Sequence, residues 1–228
     1  MKAMILAAGR GERMRPLTDH TPKPLLAVAG KPMIVRHIEA LAAAGVREIV
    51  INVAWLGEHI VAALGDGAAF GVSLVFSREE TALETAGGIA YARHLLGDAP
   101  FLLLSADIVT DYPLARLTAA AAALANDPDR LAHLVVVPNP PYHPGGDFGL
   151  TADGLIDPDA DARLCYANLM VLKPALVAEV PAGAIAPLGP LLKAAARQGR
   201  ISGERYEGGW FNVGTVDELA AASAAVYR

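Results

Sequence analysis

The sequence predicts an α/β protein built on one central sheet, mixed but mostly parallel, with helices packed on both of its faces. Three observations predict it. Short aliphatic or β-branched runs alternate with Ala- and Leu-rich helical patterns in the order β-α-β-α. The runs Glu48-Ile49-Val50-Ile51 and Phe101-Leu102-Leu103-Leu104 lack the polar alternation of a half-solvated strand, as strands buried on both faces do. Of the 228 residues, 54% are apolar and 19% charged, a composition that can fill a sizeable core and is unlike that of a disordered chain.

Each element has its own local reason. The first strand covers residues 4–6. Ile34, Ile38 and Leu41 recur at helical spacing and put a helix over 34–44, which Gly45 ends. Strands follow at 49–53, 72–76 and 101–104, with helices at 60–64 and 89–96 between them. Good helix formers fill 115–125, a stretch that suits an interface as well as the core; Asn126-Asp127-Pro128-Asp129 is a loop and 131–137 the next strand. The stretch 138–147, with four prolines and Gly145-Gly146, holds no regular element. The short runs at 148–150 and 155–156, split by Asp153-Gly154, form a small hairpin inserted over the sheet. A strand at 169–172, a helix at 188–197, a strand at 210–213 and a helix at 215–226 close the chain. Neither a repeat nor a long linker divides it, so a single domain is expected.

Charge and cysteine usage exclude several function classes. Nineteen Lys and Arg against 24 Asp and Glu give a net charge of −5, so no basic field exists to hold nucleic acid. The one cysteine, Cys165, rules out an intramolecular disulfide and a Cys-rich zinc site; it suits the reducing cytoplasm and is expected to be a small buried hydrophobe. The N-terminal apolar run stops at Gly9, too short for a signal peptide, and the apolar stretch from Ala175 to Leu192 is broken by Glu179, Pro181, Pro187 and Pro190. A soluble protein with no membrane partner is expected. The six histidines show no ligand spacing and are expected on the surface or in loops. Trp55, Phe70 and Phe101 are expected in the core, and Asp111 and Tyr112 in a solvated loop.

The densest chemistry lies in Leu6-Ala7-Ala8-Gly9-Arg10-Gly11-Glu12-Arg13-Met14-Arg15-Pro16-Leu17-Thr18 and in Thr21-Pro22-Lys23-Pro24-Leu25-Leu26. Glycines after a strand let backbone N–H groups approach a phosphate, and Gly9 and Gly11 fit that role. Arg13 and Lys23 add cations to the same loop, as reaction on a triphosphate requires. A dinucleotide fingerprint would need glycine where Met14 stands, and a Walker A loop would need Gly-Lys-Ser/Thr, which is absent. Asp107 follows the strand at 101–104, at the carboxyl end where open α/β sheets bind ligands, and a carboxylate there suits Mg²⁺.

These residues resemble those of the sugar-1-phosphate nucleotidyltransferases, whose pattern L-A-A-G-x-G-x-R-[ML]-x-P-L-T…P-K-P-[LM] runs almost unbroken from Leu6 to Leu25. The similarity continues through Gly30-Lys31-Pro32-Met33-Ile34, Leu83-Glu84-Thr85-Ala86-Gly87-Gly88-Ile89 and Trp210-Phe211-Asn212-Val213-Gly214-Thr215, so it spans the chain. Ala54-Trp55-Leu56-Gly57, the Gly146-Asp147-Phe148 turn and the Val213-Gly214-Thr215 ending are most similar to the uridylyltransferases acting on N-acetylmuramate 1-phosphate in cell-wall recycling.

The resemblance implies a Rossmann-like three-layer α/β/α domain over 1–228, with a nucleotide-binding part at about 1–112 and a sugar-binding part at about 113–228. It implies attack by a sugar-1-phosphate on the α-phosphorus of a nucleoside triphosphate, with UTP and N-acetylmuramate 1-phosphate favoured and Mg²⁺ as cofactor. Arg13, Lys23 and Asp107 would be catalytic. Leu6, Ala7, Ala8, Gly9, Gly11, Arg13, Lys23, Thr85 and Gly87 would bind the nucleotide, and Gly88, Asp147, Gly149 and Asn168 the sugar. Asp107 and Asn212, the latter in the family's W-x-[DN]-x-G-T motif, would hold the metal. Three departures stand out: Ala106-Asp107 replaces Gly-Asp, Tyr166-Ala167-Asn168-Leu169 stands where relatives often read F-[ST]-G-I, and Asp157-Pro158-Asp159 takes the region of the missing E-K-P. Guanylyl, thymidylyl or cytidylyl transfer to another acceptor, or an inactive nucleotide-binding module, are the alternatives.

Overall fold

The computed structural model describes residues 1–226 and has the expected three layers. Strand β1 (Lys2–Leu6) leads into a long loop with three short 3₁₀ turns, after which β2 (Ala27–Val28) and β3 (Lys31–Pro32) pair and deliver the chain into α1 (Met33–Ala43). The alternation continues through β4 (Glu48–Val53), α2 (Gly57–Leu64), β5 (Ser73–Arg78), α3 (Glu84–Leu96), β6 (Phe101–Ser105), β7 (Ile108–Thr110), α4 (Ala115–Ala125) and β8 (Ala132–Val137). The rest of the chain forms the hairpin β9 (Gly149–Leu150) and β10 (Ile156–Asp157), then β11 (Cys165–Leu172), α5 (Gly189–Arg197), β12 (Ile201–Arg205), β13 (Trp210–Asn212) and α6 (Val216–Val226).

The seven-stranded sheet runs β12-β8-β11-β6-β1-β4-β5. Its neighbours are parallel except at β11, which lies antiparallel between β6 and β8. Successive side chains of a strand point to opposite faces. Ala3, Ile5 and Ala7 therefore join Leu102, Leu104 and Ile51 in one core, capped by Ile34, Ile38 and Leu41 of α1 and by Leu117 and Leu124 of α4. Met4, Val50 and Leu103 turn the other way, into a second core with Ile89 and Leu96 of α3 and Leu192 of α5. A third, small cluster of Met14, Val28, Met33, Val109, Val213 and Ala222 ties the N-terminal loop and α6 to the ribbon formed by β7 and β13.

The chain leaves β1 toward β4 and β5, then returns to build β6 on the other side of β1. That reversal opens a crevice at the carboxyl ends of the strands, the position where open α/β sheets bind ligands. Lys23, expected to act after β1, and Asp107, expected to act after β6, meet there.

Four side chains differ from expectation. His37 is buried in α1 rather than on the surface, because its position lies on the face that packs on the sheet. Tyr112 is buried and donates its hydroxyl to Glu204, so it docks the loop before α4 on β12 instead of lying in solvent. Trp55 is only half buried and packs from the β4–α2 connection onto the N-terminal loop: its Nε1 donates to the Thr18 carbonyl at 3.0 Å, and the Arg10 guanidinium stacks 3.9 Å from its ring centre. Phe70 is partly buried at the edge of the first core, while Phe101 and Cys165 are buried as expected. Strands β2, β3, β7 and β12 were not anticipated.

Candidate active site

Two cavities that share walls form one cleft above β1 and β6. The first, about 280 Å³, is lined by Leu6, Ala7, Ala8 and Gly9 from the end of β1, and by Lys23, Asp107 and Thr85. Gly9 is exposed, and a Cβ there would meet nothing within 4 Å, so its backbone faces open cleft. Gly11 stands behind, at φ +68, where a Cβ would press on Lys23 and Thr18 at 3.1 Å. Glycine is required there by both its dihedral and its contacts. The Thr18 hydroxyl donates to the Gly11 carbonyl at 2.9 Å, and Trp55 holds Thr18 in turn, so the loop is fixed before any ligand arrives.

Lys23 is buried, and its Nζ donates to Asp107 Oδ2 at 2.5 Å. A lysine this buried is held by its carboxylate partner. Asp107 is 31% exposed, and its Oδ1 accepts no hydrogen bond among the described residues. Pairing of β7 with β13 brings Asn212 alongside: Asn212 lies opposite Ile108, and the Val213 N–H donates to the Asp107 carbonyl at 2.8 Å. Asn212 lines the neighbouring cavity beneath the 138–142 loop, not the cleft itself. The two residues thus offer hard oxygen donors from adjacent backbone positions, the donor type that a small divalent cation takes. Arg13 lies on that same flank, outside the lining of the cleft, with its guanidinium against Gly214; a Cβ at Gly214 would stand 2.4 Å from Nη2.

A buried polar chain supports the first cavity, and the sequence motifs did not show it. The Ala7 N–H donates to Asn52 Oδ1 at 2.9 Å, Asn52 Nδ2 donates to Glu79 Oε1 at 2.8 Å, and Glu79 Oε2 accepts the Leu83 N–H at 3.0 Å. The chain pins the end of β1 to the ends of β4 and β5 and to the start of α3. Asn52 and Glu79 carry a legible signal, since each is a polar residue at the carboxyl end of an apolar strand.

The second cavity, about 360 Å³, shares Leu6, Glu84, Thr85 and Ser105 with the first and adds Asp147, Tyr166, Asn168 and Lys193. Asn168 has φ +57 at a break in the β11–β8 register, a backbone state that glycine favours and asparagine tolerates best among the others. This explains how the chain departs from the family's glycine without losing the bulge. Glu84 has φ +62 where α3 begins and lines both cavities; as an ordinary side chain in a strained backbone state it marks a site that sequence periodicity does not reveal. Asp147 is held from both sides: Oδ1 pairs with His143 Nε2 at 3.0 Å, and Oδ2 accepts the Tyr166 N–H at 2.8 Å. Beside it, burial pushes the Cys165 thiol up to about 12, with the Asp147 charge adding to the effect.

Three glycines expected at the substrates line neither cavity and pack closely elsewhere. Gly87 does not reach the cleft: it packs so closely on the following loop that a Cβ would stand 2.1 Å from the Ala184 carbonyl oxygen. Gly88 packs on the polar chain, where a Cβ would meet Glu79 Oε1 at 2.8 Å. Gly149 gives room to Ala160 under the hairpin, at 2.4 Å from a Cβ, and Phe148 lines the cavity in its place.

The Nucleotidyl transferase family model matches residues 2–152. The chain is 50% identical to an N-acetylmuramate alpha-1-phosphate uridylyltransferase of Neisseria meningitidis serogroup B over 228 residues, covering 98% of this chain and 97% of that protein. It is 38% identical to a protein of the same name from Caulobacter vibrioides over 233 residues, covering 97% and 95%. A protein of Bacillus anthracis described as a glucose-1-phosphate thymidylyltransferase, in complex with a sucrose, has the same fold at a TM-score of 0.87 and 19% identity, covering 99% of this chain and 94% of that one.

Proposed function

The chain belongs to the nucleotidyl transferase family, and on that premise we propose that it joins N-acetylmuramate 1-phosphate to the uridylyl group of UTP, releasing pyrophosphate. The observation that carries the substrate pair is the 50% identity, along nearly the whole of both chains, to an enzyme named for that reaction. The cleft supports the reaction class. A phosphate oxygen of the sugar-1-phosphate attacks the α-phosphorus, a new P–O bond forms, and the bond to the oxygen bridging to the β-phosphorus breaks. The attacking oxygen is already ionised at neutral pH, so the step needs positioning and charge neutralisation more than a proton acceptor.

This chain's residues supply both. The backbone of Ala7, Ala8 and Gly9 wraps the nucleotide, and the Lys23 ammonium lies at the end of the same cavity. Asp107 orients Lys23 through one oxygen and keeps the other for a cation. Asp107 and Asn212 would hold a divalent ion, Mg²⁺ by their hard oxygens, and when bound it neutralises charge on the phosphates. Arg13 closes the flank over Gly214. The nucleotide part is about 1–112 and the sugar part about 113–228, with Leu6, Glu84, Thr85 and Ser105 serving both cavities. No helix among the described residues is long and apolar enough to cross a membrane; the supply of UTP assigns the reaction to the cytoplasm.

The test is pyrophosphate release with Mg²⁺ across four nucleoside triphosphates and a set of sugar-1-phosphates. Turnover is expected with UTP and N-acetylmuramate 1-phosphate. Preference for another pair would overturn the substrates and keep the chemistry, and no turnover with any pair would overturn both.

A further inference from the structure

We infer that Lys193 reads the carboxylate that distinguishes an N-acetylmuramyl ligand from an N-acetylglucosaminyl one, an inference that rests on the function proposed above. The two ligands differ by a lactyl ether, which adds one carboxylate to the sugar. Among the described residues lining the second cavity, Lys193 is the one cation; the other charged groups there are Glu84 and Asp147. A carboxylate brought among two acids requires a cationic partner. Lys193 is exposed and forms no hydrogen bond and no ion pair with any described residue, although its charge also acts on Asp159. Its neighbour Arg197 is engaged, with two 2.8 Å bonds to Asp159.

Position separates this role from phosphate binding. Lys193 lines only the second cavity, whereas Lys23 and Asp107 line only the first. The reacting phosphates belong at Lys23, so the sugar ring extends through the shared walls toward α5. The helix is a firm base for the contact: Leu192, Ala195 and Ala196 are buried in the second core, and Gly189, one turn before Lys193, lines the cavity beside it. Asp147 and Lys193 form no ion pair: the Asp147 oxygens are turned to His143 and the Tyr166 N–H.

Calorimetric binding of UDP-N-acetylmuramate and UDP-N-acetylglucosamine to the wild-type chain, Lys193→Met and Lys193→Arg tests this. Lys193→Met is expected to weaken UDP-N-acetylmuramate roughly two- to fivefold, the scale of an exposed charge pair, and to leave UDP-N-acetylglucosamine unchanged. Lys193→Arg should restore most of the loss. Equal losses for both ligands would assign Lys193 to the phosphates, and no loss for either would make it a solvated surface residue; each overturns the inference and leaves the proposed reaction standing. A wild-type chain that prefers UDP-N-acetylglucosamine would instead overturn the substrate reading itself.

Discussion

His37 joins the fold to pH. It is 5% exposed, and its Nε2 has no hydrogen-bond partner among the described residues. Burial lowers its pKa from 6.5 to about 4, against smaller opposite effects from the Ile108 carbonyl and the Asp107 charge. The folded pKa is thus below the unfolded one. The stability linked to His37 is complete above pH 6.5, falls as the unfolded chain takes up its proton, and is gone below pH 4. The full effect is about 3 kcal/mol. Urea unfolding at pH 7.5 and 4.5 should show the wild-type chain losing about 2 to 3 kcal/mol more than His37→Gln; parallel losses would contradict it. The sequence hid this residue because a single histidine inside an apolar helix has no spacing that sets it apart. Lys23 and Asp107 were legible for the opposite reason: each stands beside prolines, glycines or a strand end whose chemistry narrows its role. Asn168 stood out only as a departure, and its positive φ gives the cause.

At the scale of elements, the start of α3 governs the sugar end of the cleft. The Ala86 and Gly87 N–H groups donate to the Ala186 carbonyl at 2.9 and 3.1 Å, and the loop they hold carries Pro187 and Leu188 into the second cavity. In Gly87→Ala the new methyl meets the Ala184 carbonyl oxygen, which is backbone and cannot swing away. A loss of about 1–3 kcal/mol is expected by thermal or urea melting, with KM for the sugar-1-phosphate raised several-fold and KM for UTP little changed. Gly9→Ala has open space for its methyl and should keep wild-type stability. If the two variants melted alike, the close approach at Gly87 would be refuted. Most helices and central strands could be read from periodicity because their faces are uniformly apolar; the expected helix at 115–125 matches α4. Strand β12, Ile201-Ser202-Gly203-Glu204-Arg205, could not, since an edge strand carries polar residues and Gly203 answers to a contact from elsewhere: a Cβ there would meet Ile156 Cδ1 at 2.5 Å.

For the whole molecule, the three-layer plan followed from alternation and from strands without polar faces. The strand order did not, because the antiparallel insertion of β11 between β6 and β8 depends on pairings between residues far apart in the chain. That order creates the crevice, and the crevice brings Lys23 and Asp107 together across 84 positions of sequence. The central claim is that this pair serves the transfer step rather than the fold alone. In Asp107→Asn the bond from Lys23 loses its charged acceptor while the backbone bond from Val213 remains. The most direct measurement compares kcat and UTP affinity of Asp107→Asn with wild type, in chains shown by melting to be folded. A fall in kcat of at least about a hundredfold, with UTP bound within tenfold of wild type, is the expected result. Turnover within tenfold of wild type would contradict it.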